Sequence, residues 1–189
     1  GTGNNDGRQG GSGGGGCGGD SGTPGGVGGT SSQGNTYFDG TSTVAGGKSG
    51  NAGTTDGQTT LIYKGGGGGG ASTTASTAIN GGDGVVINIT GTNRPYAAGG
   101  GAGIYSNANS TVLSAGIGGS AGGTKIGGDG HVSYKSDTTT RVNTVAAQPH
   151  GTNSTGSGGG GGAMTTSTNN GGAGGSGIVI IKWTAPSVA

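Results

Sequence analysis

The chain is poor in nearly everything a conventional globular domain is built from. Of its 189 residues one is cysteine, one tryptophan, one phenylalanine, one methionine and four are proline, and Leu, Ile, Val and Phe together supply only 23. That is too little large apolar surface to fill a core of the size this length would otherwise hold. The lone Cys17 closes no intrachain disulfide, and its place in a glycine run reads as a small residue standing in for glycine. Eight basic residues against seven acidic ones give a net charge of +1 without clustered Lys or Arg, so no nucleic acid is expected as a partner. No apolar run is long enough for a membrane-spanning helix, no signal-peptide pattern is present, and no membrane insertion is expected.

Helix is absent too. Thr, Ser, Asn and Gly are poor helix formers, and no stretch places apolar residues at i, i+3, i+4 and i+7. Collagen is excluded, because glycine does not recur at every third position and proline is scarce.

What the chain has is glycine, 57 residues of it, concentrated in blocks at 10–29, 65–70, 81–84, 98–103, 116–130 and 156–177. Glycine is the costliest residue to order and brings no side chain to a core. Such a chain is either unstructured or folded by backbone-to-backbone contact. Low charge favours contact, since nothing drives the chain apart. Glycine runs adopt an extended left-handed helix of the polyproline-II type, with three residues per turn and about 3.1 Å rise. Without side chains, several such helices pack on all faces, and their amides and carbonyls bond to neighbours. Each such bond nets only about 0.5–1.5 kcal/mol. Folding therefore needs many neighbouring runs at once.

Between the blocks lie Thr/Ser/Asn-rich segments that hold Tyr37, Phe38, Tyr63, Tyr96, Tyr105 and Tyr134. Three stretches predict strands: Thr59 to Lys64, Val85 to Thr90 after the turn pair Asp83-Gly84, and Ile178 to Trp183. The last is the most apolar run in the chain and is expected to be a closing strand that locks the domain or docks on a partner chain. The fold class expected is an irregular glycine-rich fold of packed polyglycine-II helices with a few short β-strands and no α-helix. Residues 1–189 form one glycine-rich domain, and the start at Gly1 suggests a piece of a longer chain.

The segment NGGDGVVINITGTNRPYAAGGGAG at 80–103, the block at 156–162 and GGAGGSGIVIIKW at 171–183 together resemble the glycine-rich domain of bacteriophage tail-fibre, virion and cell-surface proteins. Residues 131–155, with few glycines, depart from that pattern. The resemblance implies packed polyglycine-II helices whose end loops bind a host surface. Its implied partners are a bacterial surface glycan or outer-membrane protein, and a homo-oligomer or fibre partner. It implies an extracellular or virion location and carries no catalytic residues.

Several motifs with chemical meaning occur, and each has a simpler reading. The glycines at 11–16 satisfy G-x-G-x-x-G, but no strand precedes them and no helix follows. Gly47-Lys48-Ser49 resembles the end of a phosphate loop, yet Ser42 stands where the first glycine is needed. Asn80-Gly-Gly-Asp83-Gly84 and Ile126-Gly-Gly-Asp129-Gly130 are similar to calcium nonapeptides, but Val86 and Val132 occupy the ligand positions, so Asp6, Asp83 and Asp129 read as turn residues. His131 and His150 have no second ligand nearby in sequence, so neither metal nor cofactor is expected. Three Asn-x-Ser/Thr triplets, at Asn88, Asn109 and Asn153, are expected by chance in such a composition. Tyrosine offers a large contact surface at low entropic cost, and packing at the ends of glycine layers is the competing role. Tyr37, Tyr105 and Tyr134 are the receptor-contact candidates.

The sequence thus predicts a non-enzymatic adhesive module of a tail fibre or tail tip. The rival is a subunit of a self-assembling extracellular filament or matrix. An ice-binding protein would need a flat, regular threonine face, which the irregular threonine spacing does not supply.

Overall fold

Removing Cβ from a segment lets backbone approach backbone directly, and this chain is organised by that approach. The computed structural model describes residues 6–7, 9, 13–16, 26–31, 37–38, 43–44, 48, 50, 54–55, 62–74, 79–109, 113–135, 140–144, 146–163 and 171–183; for 37–38, 43–44, 54–55, 107–109 and 141 it describes the backbone alone. Among these residues there is no helix. The strands are short: β1 (Tyr37–Phe38), β2 (Thr43–Val44), β3 (Thr54–Thr55), β4 (Ile62–Lys64), β5 (Val85–Ile87), β6 (Arg94–Tyr96), β7 (Ile104–Asn109), β8 (Ser120–Ala121), β9 (Thr124–Lys125), β10 (Val132–Lys135) and β11 (Arg141–Thr144).

The glycine-rich runs pack side by side around 97–103. The carbonyls of this central run accept bonds with a period of three. Those of Ala97, Gly100 and Gly103 take Ala71, Gly68 and Gly65 at 2.8, 3.0 and 3.1 Å. Those of Ala98 and Gly101 take Gly158 and Gly161, both at 2.8 Å, and those of Gly99 and Ala102 take Gly119 and Gly116, both at 2.9 Å. The amides follow the same repeat: Gly99 and Ala102 donate to Gly82 and Ile79, while Gly101 and Ile104 donate to Gly128 and His131. A repeat of three is that of polyglycine II, unlike the 2.0 of a strand or the 3.6 of an α-helix. Numbering rises in step with 126–131 and 156–161 and runs opposite to 65–71, 79–82 and 116–119, so parallel and antiparallel neighbours are mixed.

Only glycine permits this spacing. A Cβ added to Gly99, Gly100, Gly101 or Gly103 would fall inside the carbonyls of Gly68, Gly159, Gly116 and Gly162 respectively. The two alanines of the run mark where a methyl fits. Ala98 and Ala102 are both fully enclosed, and Ala98 joins Ala121 and Ile126 in a small apolar cluster.

Acidic side chains complete the lattice, which corrects their reading as turn residues. Successive amides of 116–120 point in three directions in rotation. Gly116 and Gly119 donate to the central run. Ile117 and Ser120 donate to Asn80 Oδ1 and Asp83 Oδ1, both at 2.9 Å, and Gly118 donates to Asp129 Oδ1 at 2.9 Å. Asp83 and Asp129 therefore stand in for carbonyls between runs. Asp6 does the same for the Val27 amide at 3.0 Å.

Strands continue the runs at both ends. At one end β4, β7 and β10 belong to a five-stranded sheet ordered β11-β10-β7-β4-β3, with β7 and β10 parallel and the other pairs antiparallel. At the other end sit two hairpins, β5-β6 and β8-β9. The β8-β9 turn needs Gly122 and Gly123, whose φ values of +56° and +78° suit a tight two-residue turn.

Two strand expectations are corrected. β5 stops at Ile87, short of Thr90; the strand expected over Thr59 to Lys64 is present at Ile62–Lys64, and Thr59 to Leu61 lie outside the described residues. Ile178 to Trp183 is no strand: it joins no sheet, and Ile178, Val179, Ile181 and Trp183 are 51%, 88%, 76% and 80% exposed. Apolar, β-branched residues favour strands only where a neighbouring edge is present to pair with them.

Candidate functional site

Around a three-fold rod, three carbonyl directions and three amide directions alternate about every 60°. The central run therefore has six lateral positions. Run 79–82 sits between 65–70 and 116–119, bonding to both through Gly82 to Gly68 and Gly81 to Ile117. Run 126–131 sits between 116–119 and 156–161, through Gly127 to Gly119, Gly128 to Gly158 and His131 to Gly161. The sixth position lies between 65–70 and 156–161, facing the amides of Ala97 and Gly100. Ala97 donates to Thr155 at its edge, and the Gly100 amide meets no acceptor among the described residues.

That position is an open cavity of about 740 Å³. Its walls are the backbones of 13–15, 66–69, 97–101 and 156–161, and Ile178 and Ile180 border it on the far side. Ile87, Ile89 and Tyr96 line it from the hairpin end. The Tyr96 side chain is buried, and its hydroxyl has no hydrogen-bond partner among the described residues. Such an orphaned buried hydroxyl costs about 1–3 kcal/mol. Thr155 and Ser157 also line the groove, but their hydroxyls bond to each other at 2.7 Å, and Thr155 donates to the Thr152 carbonyl. Among the described residues the lining offers backbone amides, carbonyls, hydroxyls and apolar surface, with no carboxylate, amine, imidazole or thiol.

A second feature is the loop joining β5 to β6. Asn88, Thr90, Gly91, Thr92, Asn93 and Arg94 are all exposed, and the Gly91 amide closes the turn on the Asn88 carbonyl at 3.1 Å. Sequence reasoning placed the contact chemistry on tyrosines and passed over this loop. The signal was present in NITGTNR, a polar turn between two β-branched stretches.

The three tyrosines are not brought together. Tyr37 lies in β1, paired with Val44, away from the larger sheet, and its side chain is outside the described residues. Tyr105 corrects the expectation of an exposed contact. It is 7% exposed in the central strand of the five-stranded sheet, stacked on Tyr63 with ring centroids 5.6 Å apart and planes 19° apart. Tyr134 is half-buried on β10, opposite Ser106 and Val142. Its neighbour Ser133 pairs with Tyr105, so Tyr134 and Tyr105 face opposite sides of the sheet.

The histidines act as acceptors. His131 Nδ1 takes the Ala146 amide at 3.3 Å and His150 Nδ1 takes the Ala173 amide at 2.9 Å. Among the described residues no group of three His, Cys, Asp or Glu side chains converges; Cys17 lies outside them. No helix among them is long and apolar enough to cross a membrane.

A family model described as a glycine-rich domain matches residues 88–184, just over half of the chain, and the chain belongs to that family. No curated protein and no solved structure matches it.

Proposed function

We propose that this member of the glycine-rich domain family is a non-catalytic structural and adhesive module of a phage tail fibre or tail tip. Its end loops bind a bacterial surface glycan or outer-membrane protein, outside the cell. The observation that carries the reading is the exposed polar loop 88–94, mounted through β5 and β6 on glycine runs whose spacing leaves no slack. Rigid presentation lowers the entropy lost on binding. Asn, Thr and Arg at a loop tip supply donors and acceptors suited to hydroxyl-rich ligands.

The test is flow cytometry of fluorescently labelled chain on a panel of bacterial cells, comparing wild type with the triple variant Thr92→Ala, Asn93→Ala, Arg94→Ala. Binding should fall at least tenfold while the thermal melt stays in place. Periodate-treated cells should lose binding if the receptor is a glycan, and protease-treated cells if it is a protein. Binding to no bacterial surface, or binding indifferent to the loop, refutes the reading. A filament subunit is the second reading, favoured by the exposed 178–183 segment; electron microscopy of the purified chain showing long fibres would select it.

A further inference from the structure

The sixth position, unfilled among the described residues, has a defined chemistry. We propose that it is occupied by residues 171–183 of a second copy of this chain, and that the exchange is reciprocal, closing a two-fold dimer. An occupant must approach bare backbone at Gly100 and Gly158, so its facing residues must lack bulk. It must also present a carbonyl to the Gly100 amide, and it must bring apolar surface to Ile87, Ile89 and Tyr96.

The segment 171–183 meets all three demands. Its first seven residues, GGAGGSG, contain nothing larger than serine and extend about 22 Å at 3.1 Å per residue, enough to span the longest of the walls, 156–161. The apolar stretch from Ile178 follows directly. In the single copy residues 171–176 are bonded to 150–160 of their own chain, Ala173 and Ser176 accepting from the Gly151 and Gly156 amides, both at 2.9 Å. Gly172 donates to Gly160 at 2.8 Å and Gly175 to Ser157 at 2.8 Å, and most residues of the segment are exposed. A contiguous exposed apolar segment of this kind marks an interaction surface in a soluble chain.

The proposed exchange has a symmetry of its own. Ile178 and Ile180 already border the groove of their own copy. The end of the run thus lies beside the groove, and in the proposed dimer each copy's run enters its partner's groove. The contact is isologous and closes on itself, in contrast to an end-to-end contact that would grow a filament. This inference does not depend on the adhesive reading: of the loop 88–94 only Ile89 borders the groove, and both test substitutions lie outside that loop.

The experiment uses the whole chain. Sedimentation velocity at a series of concentrations should show a monomer–dimer equilibrium, with exchange of the Gly100 amide slowing as dimer forms. Gly177→Phe is the blocking variant: Gly177 lines the groove, and a Cβ there has no neighbour within 4 Å among the described residues, so a single copy accommodates the ring while a partner run does not. Val179→Asp, at a side chain 88% exposed, is the second variant. Both should sediment as monomers with a cooperative melt retained, shifting the dimer dissociation constant at least tenfold. Wild type that stays monomeric, wild type that grows into fibres, or dimers that survive both substitutions would overturn the proposal.

Discussion

Replacing Gly101 with alanine should destabilise this protein severely, although the same change in an ordinary extended segment is neutral or mildly stabilising. Gly101 is buried in the central run, and an added methyl would fall inside the Gly116 carbonyl and close on the Ile117 carbonyl carbon. Gly116 would have to retreat by roughly 1 Å or more to restore ordinary contact near 3.5 Å. It is held by two bonds, its amide on Ala102 O and its carbonyl under Gly130 N, both 2.9 Å. Stretched that far, neither survives as a hydrogen bond. Leaving their buried groups unsatisfied costs about 1–3 kcal/mol each, so the expected loss is about 2–6 kcal/mol. A domain has only about 5–15 kcal/mol in total. At about 2–4 °C per kcal/mol for this size, the melting temperature should fall by about 4–24 °C. Gly65→Ala is the matched control, since its added methyl meets nothing nearer than 3.5 Å. There the smaller unfolded-state entropy should leave stability unchanged or raise it by up to about 1 kcal/mol. Thermal melts followed by circular dichroism decide the matter. If Gly101→Ala melts within 2 °C of wild type, close backbone packing does not hold this fold together.

Three further outcomes follow from the same bonds. Asp129 holds the Gly118 amide and pairs with Lys125 Nζ at 2.6 Å; Asp129→Ala should cost about 1–3 kcal/mol through the stranded amide, Asp129→Asn less, and Lys125→Ala no more than about 1 kcal/mol, as for a surface pair. Chemical denaturation of the three variants checks that order, and an equal loss in all three would transfer the effect to the ion pair. Tyr105→Ala removes a buried ring stacked on Tyr63 and should cost about 3–5 kcal/mol, read by urea unfolding; a loss under 1 kcal/mol would mean that this end of the sheet contributes little to folding. Ala97 sits at φ 58°, a conformation costly for any residue with a Cβ, so Ala97→Gly should be neutral or stabilising by up to about 1 kcal/mol, measured by the same melts, whereas a clear loss would show that its methyl packs productively.

Much of the architecture was legible in composition. With 57 glycines and few large aliphatics, backbone contact was the only route to a folded state, and the three-residue repeat of the central run follows from what unsubstituted chain does when extended. Strands at Val85 and Ile62 were legible from β-branched content. What composition could not contain was which amide meets which carbonyl. Glycine runs are nearly interchangeable as sequence, so the partners of Gly100 or Gly116 are set by where the intervening hairpins return the chain. Asp83 and Asp129 show the limit well: next to glycine each reads as a turn former, and only the arrival of 116–120 alongside makes each an acceptor between runs. The same holds for Tyr105, whose exposure depended on whether β4 came to lie beside β7. Ile178 to Trp183 carries strand propensity in every residue but lysine, yet propensity needs an edge to act on, and among the described residues the segment pairs with none. The sequence by itself settled that the protein would be built from its main chain; the tertiary structure decided the lattice, because hydrogen-bond partners are a property of position and glycine carries no side chain to announce them.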